Sequence, residues 1–93
     1  MGTPRTIVSL KGELDIYRAD AIRDSFAAVN GPAVVDLSGV TYLDSTALNE
    51  LARLHKRVGK LVIVAPSPQI RRVLTIVGFG ELFEIVDDVP RTA

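Results

Sequence analysis

The segment Val40-Thr41-Tyr42-Leu43-Asp44-Ser45-Thr46-Ala47-Leu48 sets three oxygen-bearing side chains in a row, Asp44, Ser45 and Thr46, at the point where a strand gives way to a helical stripe. A helix N-terminus presents unpaired N–H groups and a partial positive charge. Two chemistries suit it. One of the three oxygens can cap the helix, which these residue types do routinely, or a hydroxyl can carry a phosphate that the same dipole stabilises. Capping is the commoner use of such residues, and position alone leaves both open.

Little else in the chain has the residue types for chemistry. His55 is a lone histidine, and there is no cysteine. A histidine metal cluster and a thiolate site are therefore ruled out, and no nucleophile is spaced to pair with that imidazole. No Gly-rich phosphate loop or pair of catalytic residues is present, so the expectation is no catalytic residue, no metal and no cofactor. The basic run Arg53, His55, Lys56, Arg57 and Lys60 reads as the solvated face of an amphipathic helix, and Arg71 and Arg72 read as surface residues. Eleven basic and eleven acidic residues cancel. Bulk attraction to nucleic acid or an anionic membrane is thereby disfavoured.

The elements that must hold the Asp44–Thr46 segment follow from hydrophobic period. Thr6 to Leu14 interleaves Ile7, Val8, Leu10 and Leu14 with polar residues, as in a strand covered mainly on one face. From Tyr17 to Val29, Ala19, Ile22, Phe26 and Val29 recur at helical spacing until Asn30-Gly31-Pro32. Ala33–Leu37 and Leu61–Ala65 are continuous apolar runs, the pattern of strands buried on both faces. Between them Ala47, Leu48, Leu51, Leu54 or His55, and Val58 form one stripe, with Asn49, Glu50, Arg53, Lys56 and Arg57 facing away and Gly59 as the stop. Ser67 is the expected cap of a third helix, with Pro68 at its first position and Ile70, Val73, Leu74 and Val77 as its stripe. Leu82–Val86 is a last strand.

This alternation predicts an α/β fold: a four- to five-stranded, mostly parallel or mixed sheet with helices packed against it. At 47% hydrophobic and 24% charged residues over 93 positions, the chain is expected to be one domain over residues 1–93, with a short lead at 1–5 and a tail at 88–93. An open sheet edge would be compatible with a monomer or a weak homodimer. No apolar run is long enough for a signal peptide or a membrane span, which leads to an expected cytoplasmic location.

Val-Val-Asp-Leu-Ser-Gly-Val-Thr-Tyr-Leu followed by Asp44-Ser45-Thr46-Ala47 resembles the phosphorylation segment of STAS-domain anti-sigma-factor antagonists. Leu10-Lys11-Gly12-Glu13-Leu14-Asp15 is similar to the family's Gly-Glu-[Leu/Ile/Val]-Asp approach to its first helix, and Val77 to Ile85 to its closing stretch. The resemblance implies that Ser45 is the phosphorylated serine, with Thr46 the second choice. It also implies a partner-binding surface of Asp15, Asp44, Ser45, Thr46, Ala47 and Asn49. The implied partner is an anti-sigma factor acting as a serine protein kinase, with a phosphatase to reset Ser45. The unphosphorylated form would bind the anti-sigma factor and release a sigma factor, and the phosphorylated form would not.

Ala47 stands where the family usually has glycine, Asn49 where a second small residue is common, and the N-terminus is short for the family's first edge strand. A STAS scaffold or accessory subunit of a transporter or lipid-trafficking complex, with no phosphoswitch, would share the same fold.

Overall fold

In the computed structural model, which describes residues 6–89, the apolar runs become four strands and the helical stripes three helices. The expected lead 1–5 and residues 90–93 of the expected tail lie outside the described residues. The strands are β1 (Thr6–Leu14), β2 (Ala33–Leu43), β3 (Leu61–Val64) and β4 (Glu84–Val86); the helices are α1 (Ala19–Ala27), α2 (Ser45–Val58) and α3 (Pro68–Ile76). The sheet has the order β1-β2-β3-β4, and every neighbouring pair is parallel. Sequential strands joined by helices on one face are what right-handed crossovers produce.

One core runs through that face. Ile22 and Phe26 of α1, Leu51 and Leu54 of α2, and Ile70 and Leu74 of α3 are buried together with Val35, Leu37 and Ile63 of the central strands. On the opposite face Val34, Val62 and Val64 form a smaller cluster that Val86 and Val89 join. The central strands are thus buried on both sides, as continuous apolar runs require.

Three boundaries and one capping bond differ from the sequence expectation. β2 runs past Leu37 to Leu43 because it continues to pair with β1, from Lys11↔Gly39 to Leu14↔Leu43, through irregularities between Ser9 and Lys11 and between Gly12 and Glu13. The Asp36 carboxylate accepts from the Ser38 N–H at 2.9 Å, and Gly39 lets Lys11 approach: a Cβ on Gly39 would meet the Lys11 Cβ at 3.0 Å. The first helix begins as a 3-10 turn, Ile16–Arg18, before α1. Ser67 occupies the N-cap position of α3 without a capping bond; its hydroxyl donates instead to the Gln69 side chain at 3.2 Å. β4 starts only at Glu84, because Gly78 in the left-handed region opens a 3-10 turn over Phe79–Glu81. The Phe83 N–H then donates to Phe79 O at 2.9 Å, and the Phe83 ring packs edge-on against Phe79 and His55.

Candidate functional site

Parallel pairing brings two loops side by side at the C-terminal ends of β1 and β2. Leu14 is the partner of Leu43, and the Asp44 N–H donates to Leu14 O at 3.2 Å. Each strand is followed by an aspartate that turns the chain. The Asp15 carboxylate accepts from Tyr17 N at 3.0 Å and the Asp44 carboxylate from Thr46 N at 2.9 Å. Both aspartates have extended backbone, as N-cap residues do.

This arrangement resolves which oxygen caps α2: it is Asp44, and Ser45 is the first residue of the helix proper. Ser45 is exposed, and Thr46 and Asp44 are half-buried. The Ser45 hydroxyl therefore stands in solvent beside the positive end of a 14-residue helix. Ala47, by contrast, is 1% exposed and belongs to the core. It fixes the helix start against the sheet and presents no side chain to a partner. Asn49 is exposed one turn further along α2, and Asp15 is half-buried on the neighbouring loop. Asp15, Asp44, Ser45 and Thr46 are brought together by the paired strand ends; Ala47 lies beneath them.

The basic face of α2 is more committed than its sequence suggests. Glu50, expected to face solvent, is 6% exposed, because it lies on the side of α2 that meets α1 and the Arg23 guanidinium donates to its carboxylate at 3.0 Å. That bond, and the attraction of the same carboxylate, raise the Arg23 pKa from its ordinary value. Arg53 approaches the same carboxylate oxygen at 3.9 Å. Arg57 donates to Phe26 O at 2.7 Å and also to Val29 O. These carbonyls close the C-terminal end of α1, where a cation complements the helix dipole. A groove of about 370 Å³ lies here, lined by Arg23, Phe26, Glu50, Arg53, Leu54 and Arg57. Arg23 and Arg57 join α1 to α2 across it, while Arg53 stays within α2.

Arg71 is likewise not a plain surface residue. Its Nε donates to Ala65 O at 3.2 Å, and its guanidinium meets Asp87 at 2.7 Å as an ion pair that is close but not aligned as a hydrogen bond. His55 borders the core against Phe83, at a ring distance of 4.9 Å. Among the described residues no group of three or more His, Asp or Glu side chains is placed to hold a metal ion, and no helix is long and apolar enough to cross a membrane.

Sequence reading missed two residues beside this site. Ile16 and Tyr17 follow Asp15 directly and are 66% and 92% exposed. The available signal was that Tyr17 falls off the Ala19, Ile22, Phe26 and Val29 stripe.

The chain is similar to known proteins in sequence and in fold. The STAS domain family model matches residues 2–91. A STAS-domain containing protein of Pseudomonas aeruginosa is 33% identical over 85 residues, covering 84% of each chain. The anti-sigma-F factor antagonist RsfB of Mycobacterium tuberculosis is 30% identical over 86 residues, covering 85% of this chain and 70% of its own. The anti-sigma-B factor antagonist of Listeria monocytogenes is 28% identical, over 84% and 75% of the two chains. Among solved structures, the unphosphorylated anti-sigma factor antagonist SpoIIAA superposes with a TM-score of 0.68 at 22% identity, over 96% of this chain and 86% of that one. That likeness is one of fold.

Proposed function

The chain belongs to the STAS domain family, and we propose that within it this protein is an anti-sigma-factor antagonist switched by phosphorylation of Ser45. Unmodified, it docks on an anti-sigma factor through the Asp15 and Asp44–Ser45 loops and the exposed start of α2, and so frees a sigma factor. The observation that carries this reading is the division of labour at the helix start. Asp44 takes the cap, which leaves the Ser45 hydroxyl exposed and uncommitted to the fold. The relatives from Mycobacterium tuberculosis and Listeria that are named as antagonists point the same way.

The partner is proposed to be a serine kinase holding ATP. The Ser45 oxygen attacks the γ-phosphorus, the bond between that phosphorus and the β-γ bridging oxygen breaks, ADP leaves, and the hydroxyl proton passes to a base on the partner. Ser45 gains about −1.5 to −2 charges in a loop that already holds the Asp15 and Asp44 carboxylates. On the partner this charge faces the nucleotide phosphates, and like charges facing each other in an interface cost several kcal/mol, with about 1.4 kcal/mol tenfold in affinity. A loss of affinity of roughly a hundredfold or more thus needs no change of fold. A phosphatase restores the hydroxyl. The protein itself supplies no catalytic group; it is substrate and ligand, and it works in the cytoplasm where sigma factors are.

The test is a pull-down with wild type, Ser45→Ala and Ser45→Asp, with ATP present and mass spectrometry of the bound and modified species. The alanine form is expected to retain a kinase-type anti-sigma factor, the aspartate form to release it, and phosphate to appear on Ser45 of the wild type. Stable association with a membrane transporter and indifference to both substitutions would instead identify a scaffold.

A further inference from the structure

The turn that follows β1 holds two large apolar side chains in water, Ile16 at 66% and Tyr17 at 92% exposure. It is not a loose turn. The Tyr17 N–H donates to the Asp15 carboxylate at 3.0 Å and the Arg18 N–H to Asp15 O at 2.9 Å. A preorganised turn loses little entropy when it is bound, and tyrosine held this way is a common source of binding energy at interfaces. The fold does not use these side chains, since the core contacts of α1 come from Ile22 and Phe26. Single exposed apolar residues are ordinary, but these two adjoin the phosphoacceptor loop: Leu14 pairs with Leu43 and receives the Asp44 N–H.

Electrostatics explain why such a site would need an apolar anchor. Residues 13–18 and 42–46 carry three carboxylates, Glu13, Asp15 and Asp44, against one guanidinium, Arg18. This surface must receive a nucleotide that is itself strongly anionic. Attraction between loop and ATP is therefore unavailable, and docking has to draw on buried apolar area and on cations that the partner brings.

Resting on the antagonist reading above, we propose that Ile16 and Tyr17 are the apolar anchor of the docking surface. They seat in an apolar cleft of the kinase-type anti-sigma factor, flanked there by basic side chains that face Asp15 and Asp44, and so hold Ser45 at the γ-phosphate. Asp15 acts as a positioning residue, because its carboxylate and carbonyl fix the turn.

The experiment uses the full chain and the anti-sigma factor recovered with wild type, purified. Its readouts are the dissociation constant without nucleotide and the kinetics of phosphate transfer from ATP to Ser45. Tyr17→Ala is expected to weaken binding by about 30-fold or more. It should lower kcat/KM for phosphate transfer through KM, with kcat at saturation unchanged and the melting temperature kept. Tyr17→Phe should retain affinity. The control Ile76→Ala removes an apolar side chain that is 72% exposed at the end of α3 away from the Ser45 loop; it should change neither readout. If Tyr17→Ala binds and is phosphorylated like wild type, the anchor is refuted while the antagonist reading stands. If wild type holds no anti-sigma factor at all, both fall.

Discussion

Placing negative charge on Ser45 should leave the stability of the domain nearly unchanged, because two electrostatic effects of similar size oppose each other there. Ser45 is the first residue of α2, so a phosphate on it meets the positive helix end, an interaction worth about 0.3–1 kcal/mol at an exposed site. Against this stands the Asp44 carboxylate, fixed by its bond to Thr46 N at 2.9 Å. Two unit charges about 6 Å apart in water repel by roughly 0.7 kcal/mol. Physiological salt, with a screening length of about 8 Å, reduces that by roughly half. A doubly charged phosphate therefore loses to Asp44 about what it gains from the helix. Exposure of the serine removes any further cost of desolvation. The net change is expected within about 1 kcal/mol, or within roughly 5 °C of melting temperature for a domain of this size. Thermal unfolding of wild type, Ser45→Asp and the phosphorylated protein at two salt concentrations measures it. A fall of more than about 10 °C, equivalent to roughly 2 kcal/mol, would show that the modification acts by loosening the fold, and the electrostatic account of the switch would be wrong.

Three further outcomes follow from the same geometry. Asp44→Ala removes the α2 cap and should cost about 1 kcal/mol, whereas Asp44→Asn keeps the acceptor and should cost much less; equal melting temperatures for the two variants would refute the capping role. Arg57→Ala leaves the Phe26 and Val29 carbonyls without their donor and should lower the urea midpoint by the equivalent of about 1–2 kcal/mol. Arg57→Lys should recover only part of that, since an ammonium lacks the planar fork, and an unchanged midpoint in the alanine variant would contradict the interhelix tie. Gly39→Ala should destabilise by about 1–3 kcal/mol through forced separation of β1 and β2, because the atom in the way is the Lys11 Cβ at 3.0 Å and not a movable side-chain end; a melting temperature equal to wild type would show that the strands yield freely.

Hydrophobic period made the order of elements legible, because a core on one sheet face imposes helical spacing on every crossover and apolar continuity on the central strands. Leu51, Leu54, Ile70 and Leu74 all lie where their stripes place them. What period does not encode is pairing. The extension of β2 to Leu43 depends on the Lys11 backbone passing Gly39, a long-range contact with no local signature. Glu50 on α2 looked outward because a carboxylate is ordinarily solvated; its partner Arg23 lies 27 residues away on α1. At the candidate site the residue types were visible, but which oxygen would cap was not, since Asp44, Ser45 and Thr46 are all competent. Ile16 and Tyr17 were hidden for a related reason: a 3-10 turn before a helix reads as its first turn until its hydrogen bonds to Asp15 are seen.

The most direct measurement is the dissociation constant of one purified anti-sigma factor for the unmodified protein and for the protein phosphorylated on Ser45, by titration calorimetry at fixed salt. Tight binding is expected for the first and an affinity lower by roughly a hundredfold or more for the second, with both forms equally folded. Equal affinity of the two forms would contradict it.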